Sequence, residues 1–204
     1  QQVYQKFGFE FKVELSTRPE KSMGSDQMWE NATSALADAL KEKKIDYKVN
    51  EGDGAFYGPK IDFHITDSLK RNWQLGTIQV DFSMPEKFDL YFISEKDTKE
   101  RPVMVHRAIF GSLERFIGII TEHFSGAFPT WLAPVQAVIF PVSEKTNEYC
   151  KKVYNELVEN GIRVELDLRQ ETVSHKVRDA QLQKTPFILT VGEKEEKNDT
   201  IAVR

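Results

Sequence analysis

Four polar side chains capable of holding a ligand fall within one short stretch: Gln74, Thr77, Gln79 and Asp81. If this stretch is extended, Thr77, Gln79 and Asp81 share a face, because side chains alternate along a strand. A row of hydroxyl, amide and carboxylate groups can line a polar pocket; a solvated sheet face is the commoner result of the same spacing. Phe56-Tyr57-Gly58-Pro59-Lys60 brings together an aromatic hydroxyl, a turn and a cation, although a surface loop accounts for it equally. Ser112 and Arg115 are spaced to share a helix face. An arginine there can grip a phosphate bidentately, or it can pair with Glu86, Glu114 or Glu122. His106 sits where a strand runs into a helix, and His64, His123 and His175 are isolated. No H-x-x-x-H or C-x-x-C pairing forms a self-contained metal site, and there is no P-loop, G-x-G-x-x-G or G-x-S-x-G.

The elements that must carry these residues follow from periodicity. Phe7, Phe9, Phe11, Val13 and Leu15 alternate with polar residues and predict a half-buried strand. Ser25 is a candidate N-cap for a helix over 26–43, with Met28, Trp29, Ala32, Leu36, Ala39 and Leu40 at helical spacing. Strands are expected over 60–65, 77–82 and 103–106. The 60–65 and 77–82 pair is antiparallel, because the gap between them is too short for a crossover helix. The charged stretch 95–101 reads as an exposed hairpin, and 108–123 as a helix. Two prolines between Phe128 and Pro134 mark a linker. Beyond it the pattern becomes strand 135–142, helix 144–160 closed by Gly161, strand 162–168, helix 174–183, strand 186–191 and strand 200–204. Such alternation predicts parallel pairing in a small α/β unit. The expected organisation is therefore an antiparallel α+β unit over 1–128 and an α/β unit over 129–204.

Composition narrows the class of protein. The chain has 204 residues, 40% hydrophobic and 29% charged, which excludes a disordered chain, a collagen-like fibre and a disulfide scaffold. Net charge is −4, divided as −3 over residues 1–128 and −1 over 129–204, so neither half carries a general basic field for nucleic acid. A single cysteine, Cys150, forms no internal disulfide and fits a reducing, cytoplasmic setting. The apolar stretch 108–124 is interrupted by Ser112, Glu114, Arg115, Thr121, Glu122 and His123, so no membrane span is expected.

Longer sequence words carry more information than spacing. Leu15-Ser-Thr-Arg-Pro-Glu20, Gly54-Ala-Phe-Tyr-Gly-Pro-Lys-Ile61, Trp73-Gln-Leu-Gly-Thr-Ile-Gln-Val-Asp-Phe82, Val105-His-Arg-Ala-Ile-Phe-Gly-Ser-Leu-Glu-Arg-Phe116 and Pro129-Thr-Trp-Leu-Ala-Pro-Val-Gln136 closely resemble the threonyl-tRNA synthetase family. The resemblance spans the whole chain. It implies the fold of a class II synthetase: an antiparallel sheet with flanking helices, then a small α/β anticodon-binding domain, here without its C-terminal end. It further implies a threonine–tRNA ligase that uses ATP with magnesium, threonine and tRNA(Thr), acts as a homodimer, and holds zinc.

The same resemblance implies residue roles. Gly111-Ser112-Leu113-Glu114-Arg115 looks like the third class II motif, which makes Arg115 the catalytic contact to the ATP phosphates and sets Ser112 beside the adenylate. Gln74 and Thr77 match nucleotide-binding positions, Tyr57 and Gln79 match threonine-binding positions, and Lys60 should line the same cleft as a catalytic cation. His106 matches one zinc ligand, the family's other two lying upstream of Gln1 together with the first two class II motifs. The chain is therefore expected to be a fragment that neither binds zinc tightly nor forms adenylate alone. A metal bound to both the amino group and the hydroxyl of threonine makes that hydroxyl obligatory, which shape alone does not. Gln170, Arg178, Glu195 and Arg204 match anticodon contacts, with Gln170 in place of an expected asparagine. Leu75 stands where some relatives carry cysteine, which would alter the pocket. Two other functions remain open at this point: a non-catalytic tRNA-binding remnant of a synthetase, and a related class II synthetase of the prolyl or glycyl type.

Overall fold

The computed structural model describes residues 2–204, and Gln1 lies outside them. Contacts divide the chain into two compact units, one ending at Ile120 and one running from Thr121 to Arg204. The elements of the first are α1 (Gln2–Lys6), β1 (Phe11–Ser16), α2 (Asp26–Glu42), β2 (Lys48–Asn50), β3 (Lys60–Thr66), β4 (Asn72–Asp81), α3 (Ser83–Lys87), β5 (Phe92–Ile93), β6 (Lys99–Glu100), β7 (Met104–Ala108) and the start of α4 (Leu113–His123). Five strands form one sheet in the order β2-β1-β3-β4-β7. The pairs β1–β3, β3–β4 and β4–β7 are antiparallel, as expected; β2, too short to show a periodicity, adds a parallel edge beside β1. The hairpin anticipated over 95–101 is the separate two-stranded β5–β6 ribbon.

Helix α2 covers one face of this sheet. The Ser25 hydroxyl accepts from the Met28 amide and starts the helix at Asp26. Trp29, Leu36 and Leu40 then bury against Val13, Leu15, Ile61, Val80 and Phe82. The Trp29 indole remains satisfied by donating to the Met23 carbonyl at 2.7 Å.

Several boundaries differ from the sequence expectation; the strand expected over 77–82 already begins at Asn72, and two others differ for a clear local reason. The predicted strand 7–15 begins only at Phe11, because the amides of Phe7, Gly8 and Phe9 bond back to carbonyls of Tyr4 and Gln5. Phe7 and Phe9 are still buried, with the Phe116 ring 4.9 and 6.4 Å from theirs. The predicted helix 108–123 begins only at Leu113. Gly111 before it has φ of +67°, and the Ser112 hydroxyl accepts from the Arg115 amide as a cap.

The β3–β4 turn is clamped by Asp67, whose carboxylate accepts from the Arg71 amide, the Arg71 guanidinium and the Trp73 indole. These strands form the pair at the heart of the sheet, so the clamp sets their alignment.

The second unit contains β8 (Ala137–Pro141), a short 3-10 turn (Glu144–Thr146), α5 (Asn147–Glu159), β9 (Val164–Leu166), α6 (Val173–Leu182), β10 (Phe187–Val191), α7 (Glu193–Asn198) and β11 (Ala202–Val203). Its sheet runs β11-β10-β8-β9. β8 is parallel to both neighbours, as alternation predicts, and β11 closes the edge antiparallel. The alternate residues of β8 point to opposite layers. Ala137 and Ile139 pack with Cys150 and Val153 of α5, while Val138 and Phe140 pack with Ala180 of α6. Among the described residues no helix is long and apolar enough to cross a membrane.

The Asp67 clamp has a testable pH dependence. Burial opposes its ionisation, but hydrogen bonds from Trp73 and Arg71 prevail and bring its pKa from an ordinary 3.8 down to about 2. Its contribution is therefore present above about pH 4 and lost as pH falls through about 2. Asp67→Asn is expected to flatten the fall in urea midpoint between pH 4 and 2. An unchanged slope would show that the turn does not depend on this charge.

Candidate functional site

The registers of β1, β3, β4 and β7 assemble a polar sheet face opposite α2. Ser16 lies opposite Lys60, Lys60 opposite Gln79, and Gln79 opposite His106. In the next row Glu14 lies opposite Asp62, and Asp62 opposite Thr77. Directly opposed residues point the same way, so these side chains form one surface. Their sequence neighbours Leu15, Ile61 and Val80 point into the α2 core. The face expected from the spacing of Thr77, Gln79 and Asp81 is therefore real, and it is not a solvated surface: Gln79 and Asp81 are buried.

Asp62 lies at its centre. Its side chain is 2% exposed and is surrounded by donors. Oδ1 accepts from Gln74 Nε2 at 2.6 Å and Thr77 Oγ1 at 2.8 Å. Oδ2 accepts from Ser16 Oγ at 3.1 Å and pairs with Lys60 Nζ at 2.9 Å. Lys60 also reaches Asp53 at 3.2 Å. Burial alone would lower the Lys60 pKa; its bonds to Asp62 and Asp53 outweigh that and raise it, so the ammonium is firmly charged. Sequence reasoning missed Asp62. Its only signal was alternation with Ile61 and Phe63, which marks a polar face without ranking its members.

The 56–60 loop lies flat on β4. A Cβ on Gly58 would sit 2.1 Å from the Val80 carbonyl oxygen, so no side chain fits there. The Gln79 amide donates to the Gly58 and Pro59 carbonyls at 2.9 and 3.3 Å and holds the loop down. Tyr57, half-buried, lends its carbonyl to the Phe82 amide, and its hydroxyl has no hydrogen-bond partner among the described residues. Leu75 is buried against Gly111, so it belongs to the packing beneath the segment that leads into α4 rather than to the polar face.

Two groups at the margin are poised differently. His106 Nε2 meets Asp81 Oδ2 at 2.7 Å, and Asp81 Oδ1 accepts from the Ser83 and Met84 amides. Burial would raise the Asp81 carboxyl, but the bonds from His106 and the two amides hold it below the usual range. In the neutral tautomer with Nε2 donating to this carboxylate, Nδ1 carries the lone pair, the arrangement found behind metal-binding imidazoles. Among the described residues no cluster of three His, Cys, Asp or Glu forms a metal site, so His106 fits as a single ligand only. Arg115 is exposed, with its guanidinium carbon 5.9 Å from the Trp73 ring centroid, and it pairs with no carboxylate among the described residues. The Ser112 hydroxyl is engaged as the α4 cap.

In the second unit, Gln170 lines a cleft of about 400 Å³ with Ser143, Glu144, Asn147, Arg169 and Thr172. The cleft lies beyond the carboxyl ends of β8 and β9, where the chain departs to opposite faces, the usual ligand position in such sheets. Gln170 Nε2 donates to Glu144 there. Arg169 is pinned between Asp167 and Asp179, which push its pKa up. Arg178 and Arg204 are exposed and Glu195 is half-buried, and all three lie outside the cleft lining. Glu195 Oε2 accepts from the Gly192 amide and caps α7. The Arg204 main chain pairs with Ile188 beside β11. Cys150 is buried in α5, and burial pushes its thiol up to about 11.

Comparison with known proteins agrees with this architecture. The family model of the tRNA synthetase class II core domain (G, H, P, S and T) matches residues 1–124, and that of the anticodon binding domain matches 136–204. Threonine–tRNA ligases of Clostridium novyi and Acetivibrio thermocellus are 63% and 61% identical over 201 residues, which is 98% of this chain and 32% of theirs. The chain thus spans about a third of the length of these relatives. A crystal structure described as the RNA binding domain of threonyl-tRNA synthetase from Cryptosporidium parvum superposes with a TM-score of 0.93 at 43% identity, covering 99% of this chain and 51% of that one. The chain belongs to the class II tRNA synthetase family, and among its members it is similar to threonyl-tRNA synthetases.

Proposed function

We propose that this chain supplies part of the active site and the anticodon-reading unit of a threonine–tRNA ligase. Residues 1–128 form the catalytic part and 129–204 the anticodon-binding part. The reaction joins the threonine carboxylate to the α-phosphorus of magnesium-bound ATP, releasing pyrophosphate. The acyl group then passes to the terminal ribose of tRNA(Thr), releasing AMP. The observation that carries the proposal is the buried, internally satisfied polar face bordered by an unpaired Arg115.

Arg115 is free to meet phosphate oxygens and to stabilise charge as the α-phosphorus is attacked. Lys60 adds a second fixed cation at the cleft. Gln74 and Thr77 hold the nucleotide, with Ser112 beside the adenylate. The free Tyr57 hydroxyl and Gln79 contact threonine. His106, oriented by Asp81, contributes one of the zinc ligands; the metal, when bound, supplies a Lewis acid that requires the substrate hydroxyl. In the second unit Gln170, Arg178, Glu195 and Arg204 face anticodon bases, whose splayed edges suit amide, guanidinium and carboxylate partners. The natural protein works as a cytoplasmic homodimer.

Threonine-dependent ATP–pyrophosphate exchange by the natural full-length protein tests the catalytic half. Arg115→Ala is expected to lower kcat/KM for ATP by about 10²–10³-fold. Absence of exchange in the unmodified protein would favour a non-catalytic tRNA-binding role. Zinc content by atomic absorption tests His106: His106→Ala should lose most of the metal, and full retention would reject its role as ligand. For the anticodon half, Arg178→Ala and Glu195→Gln should each weaken tRNA(Thr) binding about 5- to 100-fold, the range for one lost base-edge contact. Glutamine keeps an oxygen for the α7 cap, so a loss there would not be a folding effect.

A further inference from the structure

We infer that Asp62 is the positioning residue of the adenylate-forming site, its carboxylate fixing Lys60, Gln74 and Thr77 in a single arrangement. The inference rests on the ligase function proposed above. A carboxylate this deeply buried is tolerated only when it is paired and hydrogen-bonded. Asp62 has one donor for each lone-pair direction it can use: Gln74 and Thr77 on Oδ1, Ser16 and Lys60 on Oδ2. Three of these donors are the groups assigned to substrate. They come from two strands, β3 and β4, with Ser16 adding a third, so one carboxylate fixes their spacing across the sheet.

Among the described residues, these donors have few other partners to hold them. Gln74 is exposed and lies where the β3–β4 register shifts, between Phe63 and His64. Its other side-chain bond is a 3.4 Å contact to Thr77, which itself hangs from Asp62. Lys60 would retain only Asp53, whose side chain is 56% exposed. Without Asp62 the three donors would each relax, and catalytic groups lose much of their effect when displaced by about 1 Å. Asp62 itself has no oxygen to spare for substrate, which sets it apart from a catalytic acid or base.

The test uses the natural full-length protein and three variants: Asp62→Asn, Asp62→Glu and Ser16→Ala. ATP–pyrophosphate exchange is measured against ATP and threonine, and Lys60 acetylation by acetic anhydride is followed by peptide mass spectrometry. Asp62→Asn is expected to lower kcat/KM for ATP about 10- to 100-fold, chiefly through KM, and to speed Lys60 acetylation several-fold. Asp62→Glu should recover part of the exchange. Ser16→Ala removes a donor from the same carboxylate but no substrate group, and should keep kcat/KM within about threefold even where it lowers the melting temperature. An active wild type whose Asp62→Asn variant keeps its ATP kinetics and Lys60 labelling would overturn the inference alone. So would Ser16→Ala losing as much exchange as Asp62→Asn, since the carboxylate would then act only through stability. Absence of exchange in the wild type would overturn the ligase function and, with it, this role.

Discussion

The first unit depends on register. Along β3, Ile61 is committed to the α2 core while its neighbours Lys60 and Asp62 are committed to the polar face. A slip of one residue would drive a charged pair into the apolar layer and expose the core. The penalty is large because Asp62 takes donors from both adjacent strands as well as from Lys60 on its own strand. Register is therefore fixed twice, by apolar packing on one side and by a shared carboxylate on the other. The Gly58 loop adds a third restraint, since main-chain bonds from Val80 and Phe82 reach Pro59 and Tyr57 across a gap with no room for a side chain.

Electrostatic satisfaction separates the groups that build the site from those left for substrate. Asp62, Lys60, Asp81 and His106 find their partners within the protein. Such internal pairing is a way of holding charges in a partly dry site at fixed positions. Arg115 differs: it rests near an aromatic ring and has no carboxylate to neutralise it among the described residues. A guanidinium placed so is a standing invitation to an anion, and phosphate is the anion its fork geometry suits.

The sequence made legible those elements whose periodicity and caps agree. Helix α2 follows from Ser25 and an apolar stripe, and β3 from strict alternation. The polar face was partly readable, because Thr77, Gln79 and Asp81 alternate with apolar residues. Its depth was not, since burial of Gln79 and Asp81 comes from a loop and two strands distant in sequence. Phe7 and Phe9 misled for a definite reason: their spacing suits a strand, but main-chain bonds to α1 took the amides a ladder needs. Helix α7 carries no apolar stripe at all, its six residues being Glu-Lys-Glu-Glu-Lys-Asn, so nothing in its periodicity announces it. The site roles themselves came from resemblance of whole words, not from spacing, which left each residue with an ordinary alternative.

Helix α7 also shows how one group can serve structure and recognition together. Three acidic residues in its first turn complement the helix dipole, and Glu195 closes the turn by accepting from Gly192. That bond uses Oε2 and restrains the half-buried side chain. A carboxylate ordered in this way loses little further conformational entropy on meeting an RNA base, whereas the exposed Arg178 must be ordered by the contact itself. Under the proposed function the two residues therefore contribute unequally: Glu195 is pre-organised by the fold and selects among base edges, while Arg178 adds attraction at the cost of its own freedom.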